Sequence, residues 1–406
     1  MISANAHYWI LLTQALGYDN PKFKKLSELY SDISLFFKDI ESEARLCGLF
    51  TVHDIVRLLA IKPKNAQPVL RRCEQLGYSV LSIDDPAYPE CLYHIYAPPA
   101  VLYIWGELPD IDEALSVGIV GTRRASRYGV ENSYKFGYAL SKYDTVVVSG
   151  GALGVDCASH RGALAANGVT VCVRGCGINY PYLQDNAGMR RAITKRGAVI
   201  SEYPPDEPPR NYYFPSRNRI IAALSDGVLL IEAGERSGSL ITANLALEMG
   251  KDVFALLGNN SPQNKGSNQR IKENSAYPVT DFMDILVHYN NAQISPSLYN
   301  ENDISFADIS AVPVKRAARQ YQTPPAPKPQ QSAPKPKKQL RQPVHQNVHL
   351  EGDAKTVYEY LGAQPVHIDK IADDLKLPVF RVNTALTLLE MQGLIHALSG
   401  RQFVLK

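Results

Sequence analysis

No segment of this chain reaches the roughly 18 consecutive apolar residues that a membrane-spanning helix requires. The opening MISANAHYWILL also lacks the basic flank and small-residue cleavage site of a secretory signal. The expectation is a soluble cytoplasmic protein with no membrane partner. Cysteine is scarce: Cys47, Cys73, Cys91, Cys157, Cys172 and Cys176 are scattered, and no two are spaced CxxC. A disulfide framework and a zinc site are therefore not expected, and the thiols read as reduced core residues. Two nucleotide fingerprints are missing as well. The turn SGGALG (residues 149–154) has Ser149 where GxGxxG needs its first glycine, and it is not GxxxxGK[ST] either, so dinucleotide binding and ordinary NTP hydrolysis both lose support. Finally, residues 309–350 contain no Asp or Glu.

What the chain does contain is modular. At 406 residues and 45% apolar content it can bury a large core, and about 150 residues per domain suggests two or three domains. The net charge of +3 is unevenly placed, because residues 309–350 carry eight Lys or Arg and leave the rest near −5. Any nucleic-acid site in the folded parts must then be a local concentration of basic groups. The same stretch holds eight prolines and few large apolar residues. Residues 291–350 thus read as a Pro/Lys-rich linker, either a soluble tether or a non-specific contact for nucleic acid.

Between residues 76 and 290, SVGIVG, DTVVVSGG, VTVCVRG, GAVISEY, GVLLIEA and DVFALLG alternate with amphipathic helical stretches. Short apolar runs, each followed by a turn and a helix, indicate parallel strands covered on both faces. The predicted fold is α/β, a Rossmann-like, doubly wound, mainly parallel sheet with ligand turns at its carboxyl edge. Residues 1–75 suggest short helices and tight turns, a SAM-like or helix-hairpin-helix unit. Residues 351–406 suggest three helices and a hairpin, a winged helix. Its third helix offers only Arg381, Asn383 and Thr384 as polar readers, and the segment holds six basic against seven acidic side chains. Protein interaction or weak DNA binding fits that helix better than sequence-specific readout.

Four turns carry the chemistry. GTRRASRYG (residues 121–129) crowds Arg123, Arg124 and Arg127 beside Thr122 and Ser126 after Gly121. Guanidiniums this close repel unless an anion sits among them, and their forks match phosphate oxygens; a solvated basic turn is the plainer alternative. Gly150 and Gly151 permit close backbone approach, and the helix that follows would aim free N–H groups at an anion. In that helix Asp156 complements the dipole, while Cys157 and His160 share a face, either as a nucleophile pair or, with no third group in evidence, as packing residues. PPDEPPRNYYFPSRNRIIAALS (residues 204–225) interleaves Tyr212, Tyr213 and Phe214 with Arg217, Asn218 and Arg219. Aromatic faces and cations together suit stacked bases joined by phosphates, although some of these rings should pack the loop onto the sheet. IEAGERSGSLITA (residues 231–243) sets Ser237, Gly238, Ser239 and Thr242 at another strand end, to cap a helix or bind phosphate. Glu232 is the one carboxylate placed for acid/base work, or else a buried partner for loop amides.

In that order, GIVGTRRASRYG, VVSGGALGVDCASHRGAL, FPSRNRIIAALS and EAGERSGSLITA resemble the DprA (Smf) family of DNA-processing proteins. The resemblance covers residues 80 to 280 most strongly. It implies a non-enzymatic protein without cofactor or metal that binds and protects single-stranded DNA during natural transformation and loads the RecA recombinase. It also implies a homodimer built through the Rossmann-like domain. Carried over by motif, the DNA site comprises Gly121, Thr122, Arg123, Arg124, Ser149, Gly150, Gly151, Phe214, Arg217, Asn218 and Arg219, closed by Ser237, Gly238 and Ser239. After residue 255 the chain departs from the family pattern, with Leu257, Arg270 and Ser275 in place of the expected types, so the resemblance assigns no dimer or recombinase contacts there. An enzyme is the competing class: related sheets serve phosphoribohydrolases of the cytokinin-activating kind, for which Glu232 and Arg236 are the candidates. Their PGGxGT turn is missing here.

Overall fold

Runs of β-branched residues without polar alternation form strands that can be buried on both faces, and a nine-stranded sheet is built largely from them. A computed structural model describes residues 1–289, 312–313, 350, 352–362, 364–398 and 402–405. The chain divides into two compact units, Met1–Tyr321 and Gln322–Lys406. In the first, the strands are β1 (Ser79–Ser82), β2 (Val101–Gly106), β3 (Ser116–Val120), β4 (Val146–Ser149), β5 (Thr170–Arg174), β6 (Ala198–Ser201), β7 (Gly227–Leu230), β8 (Asp252–Leu256) and β9 (Tyr277–Val279). Their order is β1-β2-β6-β5-β4-β3-β7-β8-β9. The strands from β3 to β9 run parallel, and β1 and β2 extend one edge antiparallel. Every residue of β3, β4, β5, β6 and β7 is buried.

The helices of this unit begin with α1 (Ala6–Leu16), α2 (Lys22–Leu29), α3 (Ser34–Lys38), α4 (Ile40–Leu46), α5 (Val52–Leu59) and α6 (Gln67–Leu76). Tight signals separate them. At α5, Thr51 accepts from the Asp54 amide (3.2 Å) while the Asp54 carboxylate accepts from the Thr51 amide (3.0 Å), a reciprocal cap. Their apolar faces are not isolated: Trp9, Phe23 and Phe36 belong to the same apolar cluster as Leu102, Val148 and Val173 of the sheet.

Along the rest of the unit lie α7 (Glu90–Tyr93), α8 (Arg127–Lys142), α9 (Val155–Ala165), α10 (Ala187–Ile193), α11 (Tyr213–Ala223), α12 (Ser239–Glu248), α13 (Lys265–Lys272) and α14 (Phe282–His288). Helices α8 and α9 touch backbone to backbone. A Cβ on Gly137 would lie 2.2 Å from the Ser159 carbonyl oxygen, and one on Gly162 would lie 2.1 Å from that of Tyr134. Only glycine permits the approach.

The second unit has its own core. Helices Gly352–Tyr360, Ile368–Leu375 and Val379–Met391 pack Val357, Ile371, Val382 and Leu389 together, beside a sheet of Val366–His367, Gln402–Leu405 and Ile395–Leu398. This is the winged helix read from the sequence. In its third helix Arg381 forms a two-pronged ion pair with Asp353 (2.6 and 2.7 Å), and the Thr384 hydroxyl donates to the Phe380 carbonyl (3.0 Å). Two of its three candidate readers are thus engaged within the unit, while Phe380 is exposed. The basic linker lies outside the described residues apart from residues 312–313 and 350.

Candidate nucleic-acid interface

Strand order reverses at β3. From β3 the chain steps outward through β4, β5 and β6, then returns to lay β7 on the opposite side. The carboxyl ends of β3 and β7 therefore open a crevice, the place where doubly wound sheets take ligands. Gly121 leaves β3 at this point. A Cβ there would meet Val155 Cγ2 at 2.6 Å and the Glu232 carbonyl oxygen at 3.0 Å, so glycine lets the loop close against the residues after β7.

Glu232 then buckles that loop. Its carbonyl accepts from the Thr122 amide (2.8 Å), and its buried carboxylate accepts from both the amide (2.8 Å) and the hydroxyl of Ser126. Ser126 in turn caps α8 by accepting from the Gly129 amide (3.1 Å). Both carboxylate oxygens are spent on the loop, the amide-binding alternative foreseen for this residue.

The loop so held presents Arg123. Its guanidinium lies over the Phe214 ring at 5.2 Å, and both line a hollow of about 390 Å³ together with Gly121, Thr122, Arg124 and Asp156. Arg217, only 4% exposed, forms another wall. It donates to the carbonyls of Gly150 (2.8 Å) and Val173. Gly150 makes the room, because a Cβ would sit 2.5 Å from Arg217 Nη2. The hollow's charged lining is three arginines against one carboxylate. Burial pushes the Asp156 carboxyl up, with Arg217 and then Arg123 acting the other way. Burial likewise lowers Arg217, and Asp156 opposes that. With Arg217 and Asp156 buried, Arg123 half-buried and Arg124 exposed, the surplus of guanidinium forks is the kind of lining that suits a phosphate.

Ser237, Gly238, Ser239 and Thr242 close the hollow from the start of α12. The hydroxyls of Ser237 and Ser239 lie 2.8 Å apart, and Asn218 Nδ2 donates to the Gly238 carbonyl (3.4 Å). A narrow recess continues past Phe214 to Gly150, Gly151 and Tyr182, whose ring is 5.5 Å from that of Phe214.

Comparison with known proteins then bears on this geometry. Residues 79–290 match the family model described as DNA recombination-mediator protein A, and residues 324–401 match the DprA winged helix domain. The Protein Smf of Synechocystis is 30% identical over 423 residues, spanning 99% of each chain. The chain belongs to the DNA recombination-mediator protein A family. The DNA processing protein DprA of Streptococcus pneumoniae is 38% identical over 208 residues, 51% of this chain and 73% of that protein. Its X-ray structure matches this fold with a TM-score of 0.60 at 30% identity, over 71% of this chain and 98% of that one.

Within this member of the DNA recombination-mediator protein A family, two motif residues lie away from the hollow. Arg219 faces elsewhere because successive helical residues turn by about 100°, so residues 217 and 219 point to opposite sides of α11. It is buried against Glu202 (2.5 Å) and Asp19 (3.0 Å) and donates to the Ala97 carbonyl (2.8 Å). Ser149 is wholly buried and donates to the Ile119 carbonyl (2.6 Å), tying β4 to β3. Arg127, third of the loop's arginines, turns outward to Glu131 (2.6 Å).

The start of α9 also differs from the free anion site expected. The Ala152 amide donates to the Asp156 carboxylate (3.4 Å), that of Gly154 to the Pro313 carbonyl (2.9 Å) and that of Val155 to the Thr122 carbonyl (3.3 Å). Three amides around that helix start are thus taken by protein acceptors. Nor do Cys157 and His160 pair. The thiol donates to Asn186 Oδ1 (3.2 Å) and burial pushes it up to about 11, whereas His160 Nδ1 meets the Thr170 hydroxyl (2.7 Å). Burial, then Arg217, push the imidazole down to about 3. Among the described residues no cluster of three or more His, Cys, Asp or Glu could hold a metal ion, and no helix is long and apolar enough to cross a membrane.

Tyr182 and Asp156, with Arg174 of the recess, are among the lining residues that motif reading passed over. NYPYLQ, two tyrosines around a proline just after an apolar strand, was the available signal for the first. Asp156 was visible only as a dipole partner, because nothing in one sequence shows which arginines a carboxylate will face.

Proposed function

We propose that this protein binds single-stranded DNA in the hollow at the β3/β7 crevice, holding phosphates with Arg123, Arg124 and Arg217 and stacking a base on Phe214. The observation that carries this is the Arg123 guanidinium lying over the Phe214 ring at the mouth of a mainly cationic hollow. A cation and an aromatic face side by side suit a strand whose bases are unpaired; a duplex hides its base faces in the stack. Family membership supports the wider role, which is to shield DNA entering during natural transformation and load the RecA recombinase onto it, as a cytoplasmic homodimer joined through the Rossmann-like sheet. No catalytic step is part of the proposal. Glu232, the carboxylate of the two phosphoribohydrolase candidates, has both oxygens engaged by Ser126.

The test is fluorescence anisotropy with single-stranded and duplex oligonucleotides of one sequence at matched salt, using the full chain and Arg123→Ala. The wild type should prefer the single strand and the variant should lose it. Recombinase nucleation on a strand already coated with single-strand-binding protein tests the loading step. Incubation with nucleoside monophosphates, followed by chromatography for released base, tests the enzyme alternative.

A further inference from the structure

A second and larger cavity, of about 1450 Å³, lies on the other side of α11. It is lined by Tyr18 after α1, Tyr203 after β6 and Tyr213 at the start of α11; the rings of Tyr203 and Tyr213 stack at 3.8 Å, with Tyr18 edge-on at 4.8 Å to Tyr203. That is larger than the about 300 to 1,000 Å³ of a site for one small ligand. Helix phase divides the aromatic loop between the two spaces. Phe214, Arg217 and Asn218 face the hollow, Tyr213, Ser216 and Arg219 face the cavity, and Pro215 and Ile241 border both.

The arginines and the lysine of the cavity are already engaged, and Glu248 adds a carboxylate to its lining. Arg219 is held by Glu202 and Asp19, Arg210 pairs with Glu207 (3.3 Å) over the Tyr213 ring, and Lys251 donates to the carbonyls of Ala223 and Ser225. Such a surface has little pull on phosphates. Its rim nevertheless leaves two tyrosines open to solvent: Tyr212 is 62% and Tyr96 83% exposed. Burying either ring against a flat apolar partner is favourable, and base–aromatic stacking tolerates every base.

We propose that this cavity is the continuation of the DNA path: beyond the Pro215–Ile241 ridge, bases of the same strand stack on Tyr212 and Tyr96 while their phosphates stay in solvent. The hollow grips the backbone and the tyrosine cavity holds bases, so affinity grows with strand length. This rests on the single-stranded DNA function proposed for the hollow.

The experiment measures affinity of the full chain for oligothymidylates of about 4 and about 16 nucleotides, the span of common single-strand site sizes, with Tyr96→Ala, Tyr212→Ala, their double variant and Arg123→Ala. Circular dichroism confirms folding of each. The expected result is that the double variant binds the long strand at least tenfold more weakly and the short strand like wild type, while Arg123→Ala loses both. If the tyrosine variants bind both lengths like wild type while Arg123→Ala still fails, the cavity is not on the path. Equal loss at both lengths would also overturn the extension, since the tyrosines would then be supporting the hollow itself. If instead Arg123→Ala binds normally and the tyrosine variants lose the long strand, the cavity stands as a DNA site and the hollow falls.

Discussion

Gly150→Ala tests how the hollow is built, with a single added methyl. The position has no positive φ, so alanine meets no backbone strain and even gains about 0.4 to 1 kcal/mol by restricting the unfolded chain. The cost is steric: the new Cβ would lie 2.5 Å from Arg217 Nη2 and 2.6 Å from Nη1. A guanidinium at a side-chain tip could usually swing aside. Here it is buried and donates to the Gly150 and Val173 carbonyls, so swinging aside breaks a charge-assisted hydrogen bond worth about 1.5 to 3 kcal/mol. Overpacking adds about 1 kcal/mol, and the net destabilisation is about 1.5 to 3.5 kcal/mol. At about 2.1 cal/mol/K of unfolding entropy per residue, a unit of about 300 residues should melt roughly 2 to 6 °C lower. Single-strand affinity should fall tenfold or more as Arg217 leaves its wall. Gly188→Ala is the control, since it lies outside the hollow and its recess and nothing lies within 4 Å of its added methyl. Differential scanning fluorimetry and anisotropy on both variants decide the matter. Unchanged melting and binding in Gly150→Ala would refute the placement of Arg217.

Other outcomes follow from the same contacts. Ser126→Ala removes both a helix cap and a partner of Glu232, and should cost about 1 to 2 kcal/mol in urea unfolding. His160 is held near 3 in the fold against about 6.5 unfolded, so below pH 6.5 the unfolded chain binds the extra proton. Stability should fall by up to about 1.4 kcal/mol per pH unit between pH 6.5 and 5, and His160→Gln should flatten that slope in pH-dependent denaturation. With its thiol pushed up to about 11 and fully buried, Cys157 should resist iodoacetamide at pH 8 until the protein is unfolded, as mass spectrometry would show.

Much of this architecture was legible from apolar runs, because a strand buried on both faces leaves an unbroken signature. The strands from β3 to β8 coincide with the runs read from the sequence, and the winged helix with its hydrophobic spacing. β1 and β2 were not foreseen: SVLS and VLYIWG join the sheet antiparallel, and only tertiary pairing shows that they belong to it. Within the site, Gly121, Arg123, Phe214, Arg217 and Ser239 come together as the motifs suggested. Arg219 does not, although it is two positions from Arg217, because motif reading follows the chain whereas a helix distributes neighbours around its axis. Ser149 and the start of α9 show a second limit. Which polar groups the protein satisfies by itself is decided by long-range contacts such as that from Gly154 to Pro313.

The most direct measurement is a salt titration of single-strand affinity for the wild type, Arg123→Ala and Arg127→Ala. Arg123 should contribute about one released counterion, so its removal should weaken binding tenfold or more and reduce the slope of log affinity against log salt by about 1. Arg127, exposed and already paired with Glu131, should change neither. Wild-type affinity and slope in Arg123→Ala, or an equal loss in Arg127→Ala, would contradict a strand bound in the β3/β7 hollow.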